Sequence, residues 1–510
     1  MNRRHVLGAF GLSALGVVSF GGLALSDPRG QTGELLRSRA RLPKPHTVPL
    51  PVPPVARPVR TDPTTDFYEI VQREADLELL PGLRTRVFGY DGLFPGPTLI
   101  SRSGRPTVVT HHNQLAVPVA VHLHGGHTPA DSDGHPTDLI LPTAGWSDQT
   151  HATHGGAVTA GQRDYTYPMR QRAATLWYHD HRMDSTAAQV YRGLAGFHLV
   201  TDDEEAALPL PRGDRDIPLM ITDRAFDADG SFRYPTPDHA LHTTGGVTDT
   251  YMEGVLGDVI LVNGAPWPVL EVAAARYRLR LLNASNARRY QLRLAPARTP
   301  FIQIGSDGGL LDHPVEQTTI LLAPGERADV VVDFAAFPPG TAVTMNNTLG
   351  AGSTAQIMLF RVTGRASDDS HVPARLSHVE PLRRSQAVRT RDWRFRRAPT
   401  GEHPSWLIND RPFDPARIDA DVTLGDVEIW RFTSDLHHPV HAHLNPFQVL
   451  SRRGGAPGPY DLGWKDTVDV SPSETVEVLV RFTDYAGRYL LHCHNLEHED
   501  MAMMAAFRTR

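Results

Sequence analysis

Four pairs of the form His-x-His constrain this chain more than any other feature of its sequence. They are His122 and His124 in "PVAVHLHG", His179 and His181 in "TLWYHDH", His441 and His443 in "HPVHAHLN", and His492 and His494 in "YLLHCHN". Each pair lies in a short run rich in Val, Leu and Tyr that reads as a strand, where residues two apart point to one face. Both imidazoles of a pair therefore project the same way. A single pair arises readily by chance. Four pairs, two in each of two blocks far apart in the chain, do not.

The rest of the sequence has the punctuation of a β protein. With 43 Gly and 42 Pro, short apolar runs alternate with turns, as in "RVFGYDGLFPGPTLI" and "PTVVTHHNQL", and sandwiches are the expected outcome. A chain of 510 residues is too long for one core and fits about three domains. The expected division is a proline-dense, poorly packed arm over 27–60, a first sandwich over 61–202 and a linker rich in acid and proline from Thr201 to Asp216. A second sandwich over 216–363, a polar connector over 364–404 and a third sandwich over 405–510 complete it. The connector holds Arg383, Arg384, Arg389, Arg391, Arg394, Arg396 and Arg397 and is expected to be a solvated loop. The histidine pairs fall in the first and third blocks and none in the second. That echo points to a repeated sandwich with a metal site shared between its two copies.

Eight convergent imidazoles exceed what one metal accepts, since zinc sites take about four ligands and structural ones usually include sulfur. Several metals are expected. The only cysteine, Cys493, stands between His492 and His494, so on a strand its sulfur points to the opposite face and serves a different metal. His438, His498 and Met503 are the candidates to complete that second site. Two histidines, a thiolate and a weak axial thioether form the ligand set of a blue copper electron-transfer site. Met501 and Met504 lie close to Met503, and spacing from His498 favours Met503.

With "GYDGLFPGPT", "HLHGGHTPADSDGHP", "WYHDH", "HPVHAH" and "HCHNLEHEDMAM" in this order, the chain resembles multicopper oxidases. Within them it is similar to the spore-coat laccase, bilirubin oxidase and phenoxazinone synthase group. The resemblance covers nearly all the chain beyond the arm and implies an all-β fold of three cupredoxin-like Greek-key β-sandwich domains. It also implies four copper ions. The type 1 ion falls to His438, Cys493, His498 and Met503, and the type 2 ion to His122 and His441. The type 3 pair falls to His124, His179 and His494 on one ion and His181, His443 and His492 on the other. Dioxygen is the implied co-substrate, and phenols or aminophenols the implied one-electron donors. Acidic residues near the cluster of related enzymes feed protons to reduced oxygen, which makes Asp133 and Glu499 the candidates here, with Asp131 weaker. Ala130 departs from the acid that spore-coat relatives tend to carry there. Asp180 stands where the third block has Cys493, so the first domain should lack a blue site. His135 is a candidate for contacts behind the ligands, and His111, His112, His127, His151, His154 and His437 are expected to be structural or superficial.

Residues 1–26 carry Arg3 and Arg4 ahead of an apolar run diluted by five glycines, which looks like a twin-arginine export signal. A membrane anchor is the competing reading. Export by this route, to a periplasmic, cell-wall or extracellular location, is expected, with the membrane touched only through the signal. A net charge of -6 gives no reason to expect a nucleic-acid partner, and oligomeric state is not legible. Two further functions compete with phenol oxidation. One is oxidation of Cu(I) or Mn(II), which the low count of 10 methionines disfavours for Cu(I). The other is a copper-free structural role.

Overall fold

The computed structural model describes residues 31–146, 155–241, 245–400 and 403–510. Strands dominate and assemble as three successive two-sheet sandwiches. In the first, a five-stranded sheet built on Asp66–Leu77 and Thr107–Asn113 packs on a four-stranded one. The order of the latter is Gly96–Arg102, Ala195–Thr201, Ala174–Asp180, Val121–His124. The second sandwich joins seven strands to five, and the third has five in each sheet. Burial alternates along half-covered strands, as in Thr107–Asn113 and Phe447–Arg452, because successive side chains face the core and the solvent in turn. Each sandwich encloses its own apolar cluster. Fully burying one large apolar side chain in such a cluster contributes about 1.5–3 kcal/mol.

Two segments depart from their expected state. The arm is not poorly packed from residue 31 onward. Glu34–Leu36 runs parallel to Val255–Gly257, the Gln31 amide exchanges two hydrogen bonds with the Arg289 backbone, and Leu36 and Leu50 are buried. Proline removes single N–H donors but leaves the residues between free to bond, and Leu50 and Ala56 donate to the Val269 and Thr98 carbonyls. The connector also contains a strand of the third sandwich, Ala387–Thr400, parallel to Val427–Ser434. Its arginines pair with the buried Glu428 and the exposed Asp410, while Trp393 and Phe395 point in. The linker holds the short helix Asp203–Ala207, capped by Asp202, and buries Glu205 against Arg278 and Arg280. The expected export signal, His151 and His154 lie outside the described residues.

Candidate metal centres

The strand ladders set the positions of the histidines. Val121–His124 pairs antiparallel with Ala174–Asp180, placing His122 opposite His179. His438–Ala442 pairs in the same way with Gly487–Cys493, placing His441 opposite His492. The first and third sandwiches bring these ladders face to face. His122 stacks on His443 with ring centroids 3.9 Å apart, and His124 on His441 at 3.7 Å. All eight histidines of the four pairs converge and are buried. They form three donor sets, His122 with His124 and His441, His124 with His179 and His494, and His181 with His443 and His492, each with its ligand atoms within 4.8 Å of one another.

Hydrogen bonds on the outer ring nitrogens fix which nitrogen faces inward. His122 Nδ1 donates to the Asp133 carbonyl at 2.5 Å, His179 Nδ1 to the Asp180 carbonyl at 2.8 Å, and His441 Nδ1 to the Asp466 carbonyl at 2.9 Å. His124 donates from Nε2 to Asp466 Oδ1 at 2.9 Å. The inward nitrogens, Nε2 of His122, His179 and His441 and Nδ1 of His124, have no hydrogen-bond partner, and neither nitrogen of His494 has one. His443 Nδ1 donates to Asp133 Oδ2 at 2.7 Å and His492 Nδ1 to the Cys493 carbonyl at 3.1 Å. With Nδ1 protonated on both rings, their Nε2 lone pairs meet at 3.2 Å. Buried acceptors facing one another without a donor are costly, and a cation between them removes the conflict.

The second site has the same logic. His438 Nε2 donates to Asp435 Oδ1 at 3.0 Å and His498 Nε2 to the Glu253 carbonyl at 3.2 Å. Their Nδ1 lone pairs then face each other at 3.1 Å, with Cys493 Sγ 3.4 Å from His438 and 3.5 Å from His498. Trp406 stacks on His498 at 3.6 Å. Met503 is buried in the apolar cluster that holds Cys493, with Met501 packed against it, whereas Met504 lies opposite His492 and belongs to another cluster. The helix Leu496–Asp500 turns His498 toward Cys493 and Glu499 toward the octet, as the 100° step of a helix requires.

Burial pushes the pKa of His122, His124, His181, His443, His494 and His498 well below the usual imidazole range, and His179 to about 3. These rings are neutral donors at neutral pH. Burial drives the Cys493 thiol well above its ordinary range, so it ionises only when a cation replaces its proton. Glu499 stands 3.1 Å from His181 Nδ1 and 3.0 Å from His492 Nδ1. Burial opposes its ionisation, but these two rings hold it below the ordinary carboxylate range. Asp133 is buried, and desolvation with help from Asp138 raises it well above that range. Asp131 is exposed and bonds Arg163 only through its carbonyl.

The remaining histidines stay outside these sets. His135 is buried but bonds Thr137, His111 bonds Gln72, and His127 bonds Asp484. Sequence reasoning missed Asp466, Arg327, Asp435, Glu253 and Trp406, all of which touch a donor residue or its immediate partner. Asp435 lies only three residues before His438, whereas the others are defined by contacts distant in sequence that no local pattern marks. A cavity of about 330 Å³ has His122, His441, His443, Trp464 and Asp466 in its lining and none of the four residues around Cys493.

Multicopper oxidase family models match residues 72–205 and 380–510. A laccase of Bacillus stratosphericus is 36% identical over 89% of this chain and 97% of its own length. The chain belongs to the multicopper oxidase family. A bilirubin oxidase of Albifimbria verrucaria is 36% identical to this multicopper oxidase over 99% of the chain and 89% of the relative. The cell division protein FtsP of Escherichia coli is 34% identical over 89% of the chain and 90% of the relative. Among solved structures, a laccase from Pediococcus acidilactici superposes with a TM-score of 0.80 at 31% identity, covering 93% of this chain and 96% of that one. The three sandwiches are thus cupredoxin-like, and the enzyme is laccase-like, a class that uses copper and dioxygen with small-molecule substrates.

Proposed function

We propose that this enzyme couples one-electron oxidation of phenolic or aminophenolic donors to four-electron reduction of dioxygen, using four copper ions. The observation that carries the reading is the pair of inward-facing, lone-pair donor sets joined through one residue, Cys493. A type 1 ion would be held by His438, Cys493, His498 and Met503 and a type 2 ion by His122 and His441. A type 3 pair would be held by His124, His179 and His494 and by His181, His443 and His492. Bound there, copper supplies the capacity to accept electrons singly from four donor turnovers and to deliver them, with four protons, to dioxygen to give two waters.

The chain's own groups organise that chemistry. Cys493 offers its sulfur to one set and its backbone carbonyl to His492 of the other at 3.1 Å, so a single residue bridges them. Glu499, in contact with both His181 and His492, and Asp133, bonded to His443, orient these rings and are placed to hand on protons. The cavity that reaches His122, His441 and His443 gives dioxygen and water a route that avoids the donor side. On the donor side, His438 and His498 are buried with their outer nitrogens bonded to Asp435 and the Glu253 carbonyl, and Arg397 pairs with Glu253.

Copper-loaded protein is expected to be blue, to contain four coppers per chain and to consume oxygen with a phenolic donor. A colourless, inactive protein with fewer coppers overturns the reading. A rate on Cu(I) or Mn(II) far above that on phenols would favour metal-ion oxidation. A copper-free structural role is the competing reading, supported by the likeness to a cell division protein, and metal analysis tests it directly. Export by the twin-arginine route is part of the proposal. Replacing both Arg3 and Arg4 by Lys is expected to retain the folded enzyme in the cytoplasm, as cell fractionation would read.

A further inference from the structure

We propose that the second sandwich, which supplies no donor atom among the described residues, positions His441 and the adjoining His124 through Arg327 acting on Asp466. The inference rests on reading these rings as copper ligands, His441 with His122 on one ion and His124 on its neighbour.

Asp466 touches two of the three rings. Its Oδ1 accepts from His124 Nε2 at 2.9 Å and its backbone carbonyl from His441 Nδ1 at 2.9 Å. One ring comes from the first sandwich and one from the third, so the orientation of both depends on where this single residue is held. Arg327, on the strand Arg327–Asp333 of the second sandwich, grips the carboxylate with both terminal nitrogens, Nη1 at 2.7 Å to Oδ1 and Nη2 to Oδ2. Its other donors are also used. Nε donates to the Thr175 carbonyl at 2.9 Å, Nη1 to Gly325 at 3.0 Å and Nη2 to Asp307 at 3.1 Å. Thr175 lies on the strand that carries His179. The guanidinium therefore joins all three sandwiches with every N–H engaged, which the planar fork of arginine permits and the point charge of lysine does not.

Neighbouring glycines leave room for the clamp. Gly325, at φ +86°, lies so close to the cluster that a Cβ there would come within 2.9 Å of His494 and 3.0 Å of His124. A Cβ on Gly125, directly after His124 and at φ +83°, would stand 2.6 Å from Arg327 Nη2 and 2.9 Å from Asp466 Oδ2. Asp307 closes the arrangement from behind: Oδ1 accepts from the Arg327 N–H at 2.8 Å and Oδ2 from Lys465 Nζ at 3.0 Å. Burial opposes ionisation of Asp466, but Arg327 and His124 hold it well below the usual carboxylate range.

A clamp that served only to join domains would leave the copper sites alike when weakened. A positioning clamp would affect one site first. Arg327→Lys and Asp466→Asn would be compared with the parent enzyme by copper content after chelator challenge, by blue absorbance and by electron paramagnetic resonance. Both variants are expected to stay blue while copper at the His122 and His441 site binds about 10–100-fold more weakly, the usual effect of losing a contact behind a metal ligand. Its resonance signal should fade first, and Arg327→Lys should be the more affected. Unchanged copper retention and spectra in both variants would overturn the proposal, as would parallel loss of blue colour and of all copper. A parent protein that binds no copper would overturn the underlying reading of the site instead.

Discussion

The first and third sandwiches carry the same ladder with different contents. In both, one histidine strand pairs antiparallel with another so that His122 faces His179 and His441 faces His492. One residue further on, Asp180 occupies the position that Cys493 has in the third, and Val119, three before His122, stands where His438 stands three before His441. The Asp180 carboxylate is satisfied by Ala120 and Arg182 N–H at 3.1 and 3.0 Å and by the Gln189 amide at 3.0 Å. Cys493 sulfur receives only the Asn495 N–H, at 3.4 Å, and otherwise faces two imidazole lone pairs. One ladder closes on its own hydrogen bonds and the other leaves a site for a soft cation. The backbone register is shared, and the difference lies in a few side chains on the face turned from the octet.

Breaking the third sandwich should have the largest effect. Cys493→Ser is expected to abolish blue colour and donor oxidation while the histidine octet still retains copper, as absorbance, oxygen uptake and metal analysis would show. Glu499→Gln should come next. With the contacts to His181 and His492 altered, turnover is expected to fall about 10–100-fold, while a phenolic donor still bleaches the blue colour in the absence of oxygen. Bleaching that slows as much as turnover would argue against a role on the oxygen side. Asp180→Cys tests the comparison from the other side. No blue band should appear, because Val119 offers no imidazole, and the donors orphaned by the change should lower stability by about 1–3 kcal/mol, read from the denaturation midpoint. Smallest of all, Arg394→Gln on the exposed pair with Asp410 should alter stability by less than about 1 kcal/mol and leave copper content unchanged.

The donor residues were legible because strand geometry converts a spacing of two into a shared face, and because Cys493 sits out of phase with its neighbours. The same rule, combined with register, separates Met503 from Met504 once the ladder is known. What stayed hidden depends on contacts between distant segments. Asp466 and Arg327 lie 139 positions apart, and neither has a local signature. Composition also misled. In Ala387–Thr400 the period-two alternation of Trp393 and Phe395 with Asp392 and Arg394 is present, but the excess of arginine reads as solvated chain. In the arm, prolines masked the donors between them.

The octet stacks His122 and His124 of the first sandwich on His443 and His441 of the third, far along the chain. Contacts of such long sequence separation form late and cannot be rehearsed locally. A chain whose synthesis stops before His438 has the first half of the octet but no closed site to load. Occupancy of the full set of positions would therefore serve as a readout of docking: only a polypeptide whose first and third sandwiches have met can be fully charged.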